Sequence, residues 1–192
     1  MNKKVNVILS VLVTSCILLG CGQQPSITGN FVEYDSQHIR ESDDLPRYSS
    51  NIEDKTLANY IPRFTFKHPP DWEYGWFADM GIYYFVIVSG DLDAAQSSLD
   101  SGVQMIIIPY EYSGEDLTDL LFFAPDGLEP SSTTINGQEA VRVEFAEDQQ
   151  LKIELMIVRE KWGLDVLAEF PSEKEKEYRP LLEEIIKTIE IK

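Results

Sequence analysis

Asn136-Gly137 stands between two alternating runs, Ser131 to Ile135 and Gln138 to Phe145. A tight type I′ turn needs positive φ at both central residues, and Asn-Gly is the dipeptide that supplies it most readily, so this stretch predicts a β-hairpin. The runs beyond it continue the period of two. Leu151, Ile153, Leu155 and Ile157 alternate with Lys152 and Glu154, and Trp162-Gly163 is expected to turn the chain into a further strand through Leu164, Val166, Ala168 and Phe170. Successive strands joined by short turns make an antiparallel meander.

The same reading extends upstream. Arg63-Phe64-Thr65-Phe66-Lys67-His68 alternates and is stopped by Pro69-Pro70, which lack ladder donors. Trp72, Tyr74 and Trp76 carry on a period of two, which would set their rings on one face. The apolar run from Ile82 to Val88 suits a buried strand, and Val103 to Tyr112 another. Between them Gly90 to Gly102 is acidic and Ser-rich, with room for a short helix at Asp93 to Ser97. Ser113 and Asp116 make a capping-box-like start to a short helix reaching about Phe123. A final helix begins at Ser172 and shows one apolar stripe through Tyr178, Leu181, Leu182, Ile185 and Ile189. Pro180 inside that stripe predicts a kink or a restart. The expected class is α+β: an antiparallel sheet of about six strands packed with helices.

Three stretches resemble the PsbP-like family: Phe64-x-Phe66-x-x-Pro69-x-x-Trp72, Asn136 to Val143, and Tyr178-x-Pro180-Leu181 leading to Ile185, Ile186 and Ile189. The resemblance covers most of Ile61 to Ile191 and implies an α/β/α sandwich, the fold of extrinsic photosystem II subunits and of many bacterial lipoproteins. It carries over no catalytic residue, and the acidic Gly90 to Gly102 stretch has no counterpart in it.

The N-terminus gives an address. Lys3 and Lys4 precede an apolar run from Val5 to Leu19, the order of an export signal. At about 15 residues the run falls short of the ~20 that a membrane-crossing helix needs. Leu18-Leu19-Gly20-Cys21 resembles the lipobox of bacterial lipoproteins, which implies cleavage before Cys21 and its alkylation by diacylglycerol. Cys16 is a rival site, but cleavage there would leave Ile17-Leu18-Leu19 exposed. An uncleaved signal anchor is the other alternative. Two or more acyl chains hold a protein firmly where one does not. The expected division is a signal peptide over 1–20, a flexible acidic tether over 21–56 and the folded domain over 57–192, held on a bacterial membrane outside the cytoplasm.

Removal of 20 of the 192 residues leaves 14 basic residues against 33 acidic ones, a net charge of −19. Such a balance repels phosphate backbones, which argues against nucleic acid as a partner. After processing Cys21 is the sole cysteine, and it is acylated, so disulfides, thiol catalysis and thiolate-bound metal are excluded from the mature monomer.

Other chemistry finds little support. There is no G-x-S-x-G elbow and no nucleotide-binding glycine pattern. His38 falls in the tether, and His68, at a strand end, is a candidate general base whose simpler reading is incidental. Asp91, Asp93 and Asp100 invite a calcium reading, yet Ala95, Gln96 and Gly102 break the EF-hand pattern, leaving a looser cation site or a solvated acidic loop. No cofactor is implied. Trp72, Tyr74, Trp76, Phe77, Tyr83, Tyr84 and Phe85 place a third of the 21 aromatic residues within 14 positions. Most aromatics are core, but alternate strand faces make it hard to bury all of these, so Trp72, Tyr74, Trp76, Tyr83 and Tyr84 are candidates for a partner or ligand patch. The expected function is that of a non-enzymatic envelope lipoprotein binding or helping to assemble a protein partner at the membrane surface. Small-ligand or metal-ion binding is the alternative.

Overall fold

A computed structural model describes residues 30–37, 61–79, 82–90, 92 and 102–192. Cys21, Asp91, Asp93, Asp100 and His38 lie outside the described residues, as do residues 1–20, expected to be a signal peptide, and the short helix expected at 93–97.

The strands are β1 (Val32–Asp35), β2 (Phe64–His68), β3 (Glu73–Asp79), β4 (Ile82–Val88), β5 (Gln104–Glu111), β6 (Ser131–Ile135), β7 (Gln138–Glu147), β8 (Gln150–Arg159), β9 (Trp162–Pro171) and β10 (Glu190–Ile191). One α-helix, α1 (Glu175–Ile186), precedes β10. Seven strands form one antiparallel sheet in the order β3-β4-β5-β9-β8-β7-β6, and three form a second, β1-β2-β10. The architecture is mostly antiparallel β with a helix, an α+β arrangement, with more strands than the six expected, among them β1 and β10, which pair with β2 in the small sheet.

The hairpin at Asn136-Gly137 forms with φ of 49° and 77°. Two other tight connections have no glycine: Asp148 and Gln149 take φ of 49° and 67° between β7 and β8, and Glu160 takes 56° before β9. The second of these corrects the turn expected at Trp162-Gly163. Both residues are already in strand, paired with Arg159 and Val158, because the ladder closes on Glu160-Lys161 instead.

A second correction concerns the tether. Val32–Asp35 pairs in register with β2, from Val32 opposite His68 to Asp35 opposite Thr65, and Tyr34 is buried. Residues 30–37 therefore belong to the folded body. Their apolar residues are too few to show a period, and only long-range pairing gives them a face.

The main core lies between one face of the large sheet and a layer made of α1 and the small sheet. Phe64, Phe66, Phe85, Ile87, Met105, Ile107, Ile153, Leu155, Ile157, Leu164, Val166 and Phe170 meet Leu182, Ile185, Ile186 and Ile189 there. Each fully buried large side chain contributes about 1.5–3 kcal/mol. Helix α1 runs through Pro180 without an assigned break, so the expected restart does not occur. A 3₁₀ turn, Ser172–Lys174, leads into it. The short helix expected from Ser113 is a 3₁₀ turn over Leu117–Leu120, whose cap is the Asp116 carboxylate accepting from Thr118 N.

Candidate functional site

The aromatic set does not assemble into one exposed patch. Trp72, Tyr74 and Trp76 do share the core-side parity of β3, but Trp72 and Trp76 are buried and cannot dock a partner. Their rings are spent on packing: Phe85 lies 5.4 Å from Trp76, 5.6 Å from Tyr74 and 4.5 Å from Tyr34. Tyr74 remains 47 % exposed, at the border of this cluster. Tyr83 is half-buried against the core, while Tyr84 faces the other side of the sheet and stacks on Phe77 at 5.8 Å. Ile82, 48 % exposed, ends the same hairpin.

His68 is also built in. Its ring is 5.2 Å from Tyr74 and 5.8 Å from Phe66, and Nδ1 donates to the Pro69 carbonyl at 2.7 Å. Burial depresses its pKa, so the neutral imidazole is favoured. His68 is 3 % exposed.

The acidic loop enters and leaves the fold through a closed base. Ser89 N donates to the Val103 carbonyl at 3.0 Å and Ser89 Oγ accepts from Val103 N at 3.0 Å, while the Glu73 carboxylate accepts from Leu92 N at 3.0 Å.

The outer face of the large sheet holds what the alternation concealed. Its polar positions Glu154 on β8 and Asp165 on β9 read as solvent-facing, but Glu154 is 0 % and Asp165 4 % exposed. The segment 112–130 lies across this face: Leu117 is buried among Val141, Met156 and Val158, with Leu120, Leu121, Tyr110 and Tyr112 packed alongside. Glu154 Oε1 accepts from Phe123 N at 2.9 Å, and Phe122 and Ala124 also point backbone N–H groups at it. Glu154 Oε2 and Asp165 Oδ1 are buried with no hydrogen-bond partner among the described residues. Tyr110, opposite Gly163 on β9, donates its hydroxyl to Met156 Sδ instead. Desolvation and then the charge of Glu154 push the Asp165 carboxyl up to about 8, and desolvation raises Glu154 as well. The signal that could have found the pair is two acids on one face of neighbouring strands, diagonal in the ladder because Glu154 faces Leu167 and Asp165 faces Met156, beneath a segment with helical Leu spacing.

Elsewhere the charges do structural work. Arg142 forks onto Glu183 of α1 at 2.5 and 3.0 Å and onto Glu144 at 2.7 and 3.0 Å, and Arg179 bridges Glu144 and Glu175. A concavity of about 330 Å³ opens between the small sheet and the β6–β7 turn, lined by Thr65, Lys67, Asn136, Lys187, Thr188 and Glu190 among others. It is polar, unlike the aromatic-lined pocket that small-ligand binding would call for. Among the described residues no three acidic, His or Cys side chains are grouped to hold a metal, and no helix is long and apolar enough to cross a membrane.

No family model and no curated protein matches the chain. Solved structures do. The chain is similar to a protein of Bacteroides thetaiotaomicron VPI-5482 at 17% identity and TM-score 0.45, over 67% of this chain and 45% of that one, so it spans under half of that protein's length. It is similar to cyanobacterial PsbP of Synechocystis sp. PCC 6803 at 13% identity and TM-score 0.46, over 67% of this chain and 86% of that one. It is similar to LpqN of Mycobacterium tuberculosis, described as involved in cell envelope biogenesis, at 14% identity and TM-score 0.46, over 85% of this chain and 92% of that one. A member of the family that the sequence motifs resemble, cyanobacterial PsbP, is thus among the solved structures to which this chain is similar.

Proposed function

We propose that this chain is a non-enzymatic lipoprotein, anchored outside the cytoplasm through Cys21, whose domain binds or helps assemble a protein partner at the membrane surface. The observation that carries the reading is Leu18-Leu19-Gly20-Cys21 at the end of an export signal. The fold adds a reach. Because β1 begins at Val32, ten residues, 22–31, separate the lipid attachment from β1, and over those 11 steps at ~3.3–3.6 Å each the span is at most roughly 40 Å. The body therefore works close to the headgroups. We assign the partner to the β3–β4 hairpin at the edge of the large sheet, where Tyr74 on the core-side face and Ile82 on the opposite face are the exposed large side chains.

The anchor and the partner are tested separately. Metabolic labelling with an alkyne fatty acid should mark the wild type and not Cys21→Ser; an unlabelled wild type removes the anchor. Photo-crosslinking residues placed at Tyr74 and Ile82, in the acylated protein in its native membrane, should capture a discrete adduct that a probe at Glu139, on the far side of the sheet, does not. Identical adducts from all three positions would overturn the assignment of this surface.

A further inference from the structure

The segment 112–130 is attached to the sheet in a way that invites release. Glycines with positive φ stand near both ends, Gly114 at 96° and Gly127 at 87°, and an added Cβ at either would meet nothing within 4 Å. Glycine adopts such φ freely, so both positions suit hinges. Between them Leu117 is the one fully buried side chain, Phe122 is 72 % exposed, and the bond from Phe123 N to Glu154 Oε1 ties the backbone to the sheet. The acceptor of that bond is itself half of a buried acid pair. Glu154 Oε2 and Asp165 Oδ1 both lack donors.

A buried carboxylate oxygen without a donor is costly, and two carboxyls placed diagonally on one dry face cannot both ionise without repulsion. Among the described residues no cation pairs with either carboxyl to relieve this. From β5 it meets Tyr110, whose hydroxyl is committed to Met156. From β7 it meets Val143, the cross-strand neighbour of Glu154. Further along the same face Lys152 pairs with Glu147 at 2.7 Å and with Glu169 at 3.7 Å. The covering segment carries Glu115, Asp116, Asp119, Asp126 and Glu129 and no Lys or Arg.

We propose that the 112–130 segment is a proton-gated strap, shut while the Glu154–Asp165 pair holds a proton and released when both carboxyls ionise. Protonation turns one carboxyl into a donor and removes one charge, which suits the dry interface. Ionisation of both draws water beneath the strap, which hinges at Gly114 and Gly127 and uncovers Val141, Met156 and Val158. Burial holds both carboxyls above their ordinary range, and Asp165, at about 8, sets this transition on the alkaline side of neutral. The uncovered face is apolar and acid-rimmed, a surface the closed form does not present.

Hydrogen–deuterium exchange of the purified acylated protein in detergent micelles, followed by mass spectrometry between pH 6.5 and 9 and corrected for the intrinsic exchange rate, tests this. Peptides covering 112–130 should gain at least tenfold in opening over that range, while peptides from β8 and α1 change less than twofold. Asp165→Asn should abolish the gain, as should Glu154→Gln, which keeps an oxygen to accept from Phe123 N. A wild-type strap whose corrected exchange is flat with pH overturns the proposal. So does a gain shared equally by all peptides, or one that survives in both folded variants. Should neither variant fold, the wild-type comparison between strap, β8 and α1 decides alone.

Discussion

Trp76 Nε1 donates a 2.9 Å hydrogen bond to Tyr34 Oη in the buried core, joining β3 to a strand 42 residues upstream. Burial raises the Tyr34 phenol well above its ordinary range, so it stays neutral and available as the acceptor. The bond ties β1 to the aromatic cluster in addition to its four residues of ladder with β2.

Removing that acceptor should be felt. Tyr34→Phe leaves the indole N–H buried and unpaired, and we expect a loss of about 1–3 kcal/mol in urea denaturation. Val32→Ala, at a position 41 % exposed, should stay within about 0.5 kcal/mol. Equal and negligible effects at both would return residues 30–37 to the tether.

Gly163 is required by its neighbour. A Cβ there would sit 2.0 Å from Tyr110 Cζ, which lies across the glycine on the paired strand. Gly163→Ala should cost about 1–3 kcal/mol through overpacking. The double variant Gly163→Ala/Tyr110→Ala should show a smaller added cost for the alanine at 163, read from a double-mutant cycle in thermal melts.

Helix docking should depend on the shape of Arg142 as well as its charge. Its fork meets both oxygens of Glu183, with the two side chains 18 % and 28 % exposed. Arg142→Lys keeps the charge but not the bidentate geometry and should lose about 1 kcal/mol, whereas Arg142→Ala should lose about 1.5–3 kcal/mol. Chemical denaturation monitored by far-UV circular dichroism separates the two.

Stability should fall as pH rises above neutral, through Asp165. Its folded pKa of about 8 lies above the ordinary 3.8, so the folded state binds the extra proton. The contribution is complete below the unfolded pKa and is lost as pH climbs through 8. His68 acts in the opposite sense, because its depressed pKa makes stability fall only as pH drops below its ordinary 6.5. Urea midpoints compared at pH 7 and pH 9 should therefore decrease for the wild type and change much less for Asp165→Asn.

Much of the fold was legible because local chemistry decided it. Phe64, Phe66, Ile153, Leu155 and Ile157 alternate, and alternation alone put them on the core face. Asn136-Gly137 announced its turn, whereas Asp148-Gln149 and Glu160 adopt positive φ without glycine, because the ladders on either side impose it. The site was harder to read for a different reason. Period two says which residues share a face and is silent on whether anything covers that face, so Glu154 and Asp165 looked solvated until the 112–130 segment was placed over them. The aromatic run misled in the converse way. Trp72 and Trp76 were too many for one strand to hide, but the small sheet, with Tyr34, Phe64 and Phe66, supplied a second wall.

The β5–β9 ladder has a kinetic consequence. Its partners, from Gln104 with Glu169 to Glu111 with Trp162, are 51 to 65 residues apart, while the pairs within β3–β4 and β6–β9 close through short turns. Loop-closure entropy makes such a seam the slow event, after two local meanders have formed on their own. Until β9 has emerged, the edge bearing Ile106, Ile107 and Ile108 stays open, and a chain with that edge bare is a template for pairing with its neighbours. The interval between the emergence of β5 and that of β9 is thus when this protein most needs an escort.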